Sequence, residues 1–247
     1  MIERDLTDGI LTLRLAHGKA AAMDVELMQA FTAELDTALE ARAVVLTGTG
    51  SIFSAGVDLF RLTDGGEEYV RRFFPLLTEM IRRLFTLPLP LVVAANGHAI
   101  AGGGLMIMAG DQRLMAEGSG RMGVPELLVG VPFPAAPLEV VRWAVRPDLV
   151  QALVYTGRTF SPHEALAHGL VDEVVAPAAL IDRAREVAAQ LAALSPDVFR
   201  LTKQRLRGEA AERMSRAAEY DERALALWSA PETHARIREY LAKTVRR

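Results

Sequence analysis

An α/β fold is predicted by three features of the chain. Short apolar runs of strand length alternate with helical periodicities as far as about Pro134, two of those runs end in clusters of glycine and small residues, and the remainder is largely helical. At 247 residues, 51% hydrophobic and 24% charged, the chain can bury one substantial core, alone or with a helical appendage.

The elements follow in order. Ile10–Leu15 alternates apolar and polar residues, as a half-buried strand does. Asp24 can cap the next helix, in which Leu27, Met28, Phe31, Leu35 and Leu39 share one face. Ala43–Thr47 is a short buried strand ended by Gly48-Thr49-Gly50. Residues 63–73 mix glycine and charge and predict a mobile loop, leading into a helix that ends near Leu87-Pro88-Leu89-Pro90. Strands are expected from Leu91 to Asn96 and over Asp111–Ala116. Ser161-Pro162-His163-Glu164 is a capping box with proline in the first turn, and its helix stops at Gly169. A strand over Leu170–Val175 follows, and Ser195-Pro196 begins another helix in the same way. Amphipathic helices from Glu209 to Arg247, broken near Pro231, complete the chain. The division expected is a core over 1–195 and a helical region over 196–247, which must cover its apolar face on that core or on another subunit.

Composition narrows the function. A formal net charge of -3 provides no electrostatic reason to bind nucleic acid or an anionic membrane. The absence of cysteine excludes disulfides, thiolate metal sites and thiol nucleophiles, and five scattered histidines show no metal-ligand spacing. Acids follow Met1 at once, and no apolar run approaches the roughly 20 residues of a membrane span. A cytoplasmic protein without a bound metal is expected.

Gly102-Gly103-Gly104 bares backbone N–H groups between a strand-like and a helix-like segment. A P-loop starting at Gly97 would need Lys and Ser or Thr where Gly103 and Gly104 stand, and a dinucleotide fingerprint starting at Gly102 would need glycine at Ile107. Ligand-facing donors or a tight packing turn remain. The second site, Phe53-Ser54-Ala55-Gly56-Val57-Asp58-Leu59, also follows an apolar strand, and Asp58 can tie down neighbouring N–H groups. Together the two segments suggest paired N–H donors around one oxygen, an oxyanion hole. Spacing alone does not establish that they converge.

With these segments the chain resembles the crotonase superfamily of enoyl-CoA hydratases and isomerases. The resemblance rests on the 53–59 motif, Pro90–Gly97, Gly102-Gly103-Gly104, Asp111, Pro125-Glu126 with Gly130, and Gly169–Val175, in family order across roughly residues 1 to 205. It implies a crotonase-like spiral of β-β-α turns, a C-terminal helical region that completes homotrimers or hexamers, and an acyl-CoA substrate, with coenzyme A part of that substrate and no other cofactor. It further implies that the N–H groups of Val57 and Gly103 hold the thioester oxygen and that the carbonyl of Ala55 and its neighbours contact the adenine part of coenzyme A, with Gly56, Asp58, Leu59, Gly102 and Pro125 among the substrate-binding residues.

Two positions bear on the reaction. Family hydratases use two glutamates; one corresponds to Glu126, but the other aligns with Met106, which neither accepts a proton nor orients water. Hydration needs water held, deprotonated and a proton supplied, work suited to two carboxylates. Moving a double bond from C3 to C2 needs one carboxylate and an oxyanion hole, so an isomerase is expected, with Met106 excluding water. Val131–Pro137 also departs from the glycine-rich hydratase pattern, and Phe133 is expected to narrow the acyl pocket. A hydratase with a substituted second acid and a degenerate acyl-CoA binding protein are the alternatives.

Other residues carry both a functional and a structural reading. His98 is a base or a packed histidine, and Asp64, Glu67 and Glu68 are second acids or solvated loop residues. Lys203, Arg205 and Arg207 meet coenzyme A phosphates or form a solvated basic face.

Overall fold

The computed structural model describes residues 1–244 and begins with a hairpin. Strand β1 (Ile2–Thr7) pairs antiparallel with β2 (Ile10–Leu15), and Asp8 and Gly9 between them both have positive φ. That is the two-residue turn that an Asp-Gly pair favours, because its twist matches the strands. Helix α1 (Val25–Thr37) starts at Asp24, whose carboxylate accepts the N–H of Leu27 at 2.7 Å. It ends before Leu39, which lies in a short 3₁₀ turn and is 58% exposed instead of joining the buried face.

Three successive strand-strand-helix units follow. They are β3 (Ala43–Thr47), β4 (Ile52–Ser54) and α2 (Leu59–Phe85); β5 (Leu91–Ala95), β6 (His98–Ile100) and α3 (Gly102–Met108); and β7 (Gln112–Ala116), β8 (Met122–Gly123) and α4 (Glu126–Val129). The first strand of each unit enters a six-stranded sheet and the second enters a three-stranded one, β4-β6-β8, so every helix starts where the smaller sheet ends. Asn96 ties one unit to the previous one: its side chain accepts from Gly48 N and donates to Gly50 O, both at 2.8 Å.

The loop expected over 63–73 is helical. Helix α2 runs through it, with one break at Gly66 (φ 64°, ψ -157°), and Leu62, Val70 and Phe73 bury its apolar face. Periodicity outweighed the glycine and charge content because that face had a core to meet.

The remainder is α5 (Ala135–Ala144), α6 (Pro147–Thr156), α7 (Pro162–Ala167), β9 (Glu173–Val175), α8 (Leu180–Ala192), α9 (Pro196–Ser215), α10 (Ala218–Ser229) and α11 (Pro231–Thr244). Strand β9 is shorter than expected and closes the main sheet, whose order is β1-β2-β3-β5-β7-β9. The Ser161–Glu164 capping box is formed. Ser195 precedes Pro196 but its side chain makes no cap bond, so the two helix starts differ. Helix α8 covers the second face of the sheet, packing Leu180, Ala184 and Val187 against Val45, Val92 and Leu114. Strand β2 is therefore buried on both faces apart from half-buried Arg14.

The C-terminal helices pack on the chain's own core. Trp228 of α10 lies between Phe73 and Phe74 of α2. Helix α9 is pinned by Asp111, whose carboxylate binds Lys203 Nζ at 2.6 Å and Arg207 Nη2 at 2.7 Å and accepts the N–H of Leu91 at 2.9 Å. Lys203 also donates to Leu89 O, and Arg207 to the carbonyls of Phe85 and Ala109. Burial pulls the Lys203 ammonium down to about 8, with Asp111 opposing the shift. Removing one partner of such a buried cluster leaves uncompensated charge. Asp111→Ala should therefore lose about 3–5 kcal/mol in urea unfolding; a loss below about 1 kcal/mol would show that the cluster does not hold α9.

Candidate active site

The two small-residue segments meet in the smaller sheet. Strands β4 and β6 pair in parallel, Ser54 beside Ala99, which brings the chain after Ser54 against the chain after Ile100. A Cβ built on Gly56 would lie 2.5 Å from the Ile100 carbonyl and 3.0 Å from Gly102 N, and one on Gly103 would lie 2.5 Å from the Ser54 carbonyl. Real side chains do not tolerate these approaches. Glycine at both places is a steric requirement, additional to the positive φ of 78° at Gly56.

Backbone pairing then aims the N–H of Val57. Met23 N donates to Gly56 O at 2.7 Å and Asp58 N donates to Met23 O at 2.9 Å, forming a one-residue parallel bridge with Val57 between. In that geometry Val57 turns its own N–H away from Met23. The Asp58 carboxylate caps α2 by accepting from Arg61 N at 3.0 Å. Across the contact, Ala101 precedes α3 at φ 51°, and the first helical backbone bond is Leu105 N to Ala101 O. Gly102, Gly103 and Gly104 occupy the first turn, where N–H groups lack intrahelical acceptors.

A cavity of ≈ 70 Å³ lies beside both segments. Ala55, Val57, Leu59, Ile100 and Ala101 form one wall, Pro125, Glu126, Val129 and Val131 another, and Trp228 and Tyr240 complete it. Glu126 is the sole carboxylate in this lining. It is 7% exposed, and its Oε2 has no hydrogen-bond partner among the described residues. Burial among apolar groups pushes its carboxyl up to about 8, opposed only by its own backbone N–H. Tyr240 is also shifted upward, by its own burial first and then by the Glu126 charge. A larger cleft of ≈ 460 Å³ borders Asp111, Lys203 and Arg207, but those charges are already paired with one another. The small cavity is the candidate site, because it holds a buried acid with an unpartnered oxygen.

The sequence model of a family described as enoyl-CoA hydratase/isomerase matches residues 8–243. The chain belongs to that family. A crystal structure of an enoyl-CoA hydratase from Mycobacterium marinum is 29% identical, with TM-score 0.83 over 91% of this chain and 99% of that one. Enoyl-CoA delta isomerase 1 of Rattus norvegicus mitochondria is 28% identical over 226 residues, 90% of this chain and 78% of the relative. The human mitochondrial delta3-delta2-enoyl-CoA isomerase shares the fold at TM-score 0.92 and 24% identity, over 98% of this chain and 96% of that one. These likenesses agree with the crotonase fold expected from the motifs.

Within this hydratase/isomerase fold, the residues singled out from the sequence separate into groups. Ala55, Val57, Leu59, Pro125 and Glu126 line the cavity. Gly56, Gly102 and Gly103 stand behind its wall and permit the close packing, while Asp58 serves as a helix cap. Met106 and Phe133 are 2% and 3% exposed in the core and do not line the cavity. The Phe133 backbone is fixed by Tyr220, whose hydroxyl donates to Phe133 O at 2.8 Å. His98 lies half-buried on β6, away from the lining. Asp64, Glu67 and Glu68 are exposed on α2, where Glu67 pairs with Arg71. Lys203 and Arg207 form no solvated basic face, since both are held by Asp111; Arg205 is exposed. Trp228 and Tyr240 were not legible as site residues, because helical periodicity marks a packing face but not what it faces. Among the described residues no cluster of three or more His, Asp or Glu side chains is placed to hold a metal ion, and no helix is long and apolar enough to cross a membrane.

The raised carboxyl of Glu126 links stability to pH. Between its ordinary value of 4.5 and about 8, the folded protein holds a proton that the unfolded chain releases, so this group lowers stability as pH rises. Glutamine does not titrate. The melting temperature of Glu126→Gln relative to wild type should rise from pH 4.5 to 8 and then level off; a constant difference would mean that Glu126 is not buried as a neutral acid.

Proposed function

We propose that the protein is an enoyl-CoA isomerase that moves a double bond from C3 to C2 by proton transfer through Glu126. The observation that carries this reading is the single carboxylate in an otherwise apolar cavity. Ionised Glu126 takes the C2 proton, the electron pair spreads into the thioester as a dienolate, and Glu126 returns the proton at C4 as the new C2–C3 double bond forms. Atoms and charge balance without water. The N–H groups of Val57 and Gly103 receive the thioester oxygen as negative charge develops on it, where fixed donors stabilise most. Coenzyme A enters as part of the substrate, and no separate cofactor takes part.

A raised carboxyl suits this work. A base whose value lies near the working pH is strong enough to accept a carbon-bound proton yet ionised often enough to act. The likeness to rat enoyl-CoA delta isomerase 1 supports the assignment. The Mycobacterium marinum relative keeps hydration as the second reading. For assembly, a homotrimer or a hexamer of two trimers is the expectation the family resemblance carries, and the exposed Val198, Leu201 and Leu206 of α9 are apolar groups that a second subunit would cover.

Purified protein supplied separately with 3-enoyl-CoA and 2-enoyl-CoA tests the assignment. Conversion of the 3-enoyl substrate should fall at least about a hundredfold in Glu126→Gln; efficient hydration of the 2-enoyl substrate would overturn the isomerase reading. For the wild type, kcat/KM on the 3-enoyl substrate should rise with pH up to about 8 and then level, because the base must lose its proton. A profile flat from pH 5 to 9 would remove Glu126 from the base role.

Met106→Glu addresses the second reading. Since Met106 is 2% exposed in the core, the variant should melt lower and gain no hydratase activity. Gained hydration would place residue 106 at the reacting carbons.

A further inference from the structure

The cavity lining is unequally exposed: Ala55 is open to solvent, whereas Trp228 is 1% exposed. Trp228 belongs to α10 and packs on α2, the helix of the first strand-strand-helix unit. Four contacts fix the Trp228 ring and its backbone. The indole N–H donates to Pro132 O at 2.8 Å, the ring stacks on Phe73 with centroids 6.3 Å apart, it meets Phe74 edge-on at 5.7 Å, and His234 Nε2 lies 3.0 Å from the Trp228 carbonyl. Swinging the ring aside would strand a buried donor and dismantle an aromatic cluster. Val129 and Val131 beside it are β-branched and stiff at χ1. None of these groups yields easily to a longer ligand.

Size then becomes selective. The enclosed space of ≈ 70 Å³ is small beside the roughly 300 Å³ or more of pockets that engulf drug-sized ligands. We propose that Trp228 is the end wall of the acyl pocket and that the protein selects short acyl thioesters over long-chain ones. The proposal rests on reading this cavity as an acyl-CoA site, and it holds whichever reaction follows binding.

Calorimetric titration of the full-length protein with butyryl-, hexanoyl- and dodecanoyl-CoA tests it. These saturated thioesters have no double bond to move or hydrate, so the readout is independent of the reaction. In wild type the butyryl or hexanoyl ester should bind at least about tenfold more tightly than the dodecanoyl ester. In Trp228→Leu the gap should close to less than about threefold, through gained dodecanoyl affinity. Should that variant fail to fold, Trp228→Phe, which loses the indole N–H but keeps the stack, should still gain dodecanoyl affinity. Dodecanoyl-CoA binding wild type as tightly as butyryl-CoA, or an unchanged gap in a folded variant, would overturn the proposal. Absence of binding at every length would instead refute the acyl-CoA reading itself.

Discussion

The close approach of two backbone segments is the constraint on which the rest of the site depends. Parallel pairing of β4 with β6 brings the Ser54 carbonyl to where a side chain on Gly103 would stand, and the Ile100 carbonyl to where one on Gly56 would stand. Any Cβ at either glycine would force the strands apart. Separated strands would no longer place the chain after Ser54 beside the first turn of α3. The Met23 bridge, the Asp58 cap and the Asn96 tie all act on top of this contact by fixing directions. Their hydrogen bonds orient groups that the glycines have already brought close.

Burial governs the acid opposite that contact. Glu126 stands at the start of a four-residue helix, faces valine, proline and aromatic side chains, and leaves one carboxylate oxygen unpartnered. A stabilising design would have paired that oxygen, because an unsatisfied buried acceptor opposes folding. A buried acid with a raised carboxyl value and an unpaired oxygen in a cavity is the usual mark of a functional group, not of a structural one. The same apolar lining that raises the carboxyl also surrounds it with side chains that offer water few partners.

Much of the fold was legible because it follows local rules. The strands over Ala43–Thr47 and Leu91–Ala95, the Asp24 cap and the Ser161–Glu164 capping box depend on neighbours within a few residues. The hairpin before Ile10 was not anticipated, because its first strand is a polar segment with little apolar pattern, and Asp8-Gly9 was the one turn signal that marks it. Other departures have tertiary causes. Leu39 escaped its helical face because α1 ended first, residues 63–73 became helix because Leu62 and Val70 found a core, and β2 lost its solvent face to α8. The short strands β4, β6 and β8 are two or three residues long, too short for any period to register.

The amino-acid sequence alone determined the α/β class, the two glycine-containing segments, the presence of Glu126 and the absence of a second acid at Met106, because each is a matter of residue type and order. Only the tertiary structure decided that the two segments touch, that Lys203 and Arg207 are consumed by Asp111, that Met106 and Phe133 sit in the core, and that Trp228, about a hundred residues beyond Glu126, lines the same cavity. Convergence of distant segments and the depth of a cavity are properties of packing. Packing depends on which surfaces exclude water together, and linear spacing does not encode that.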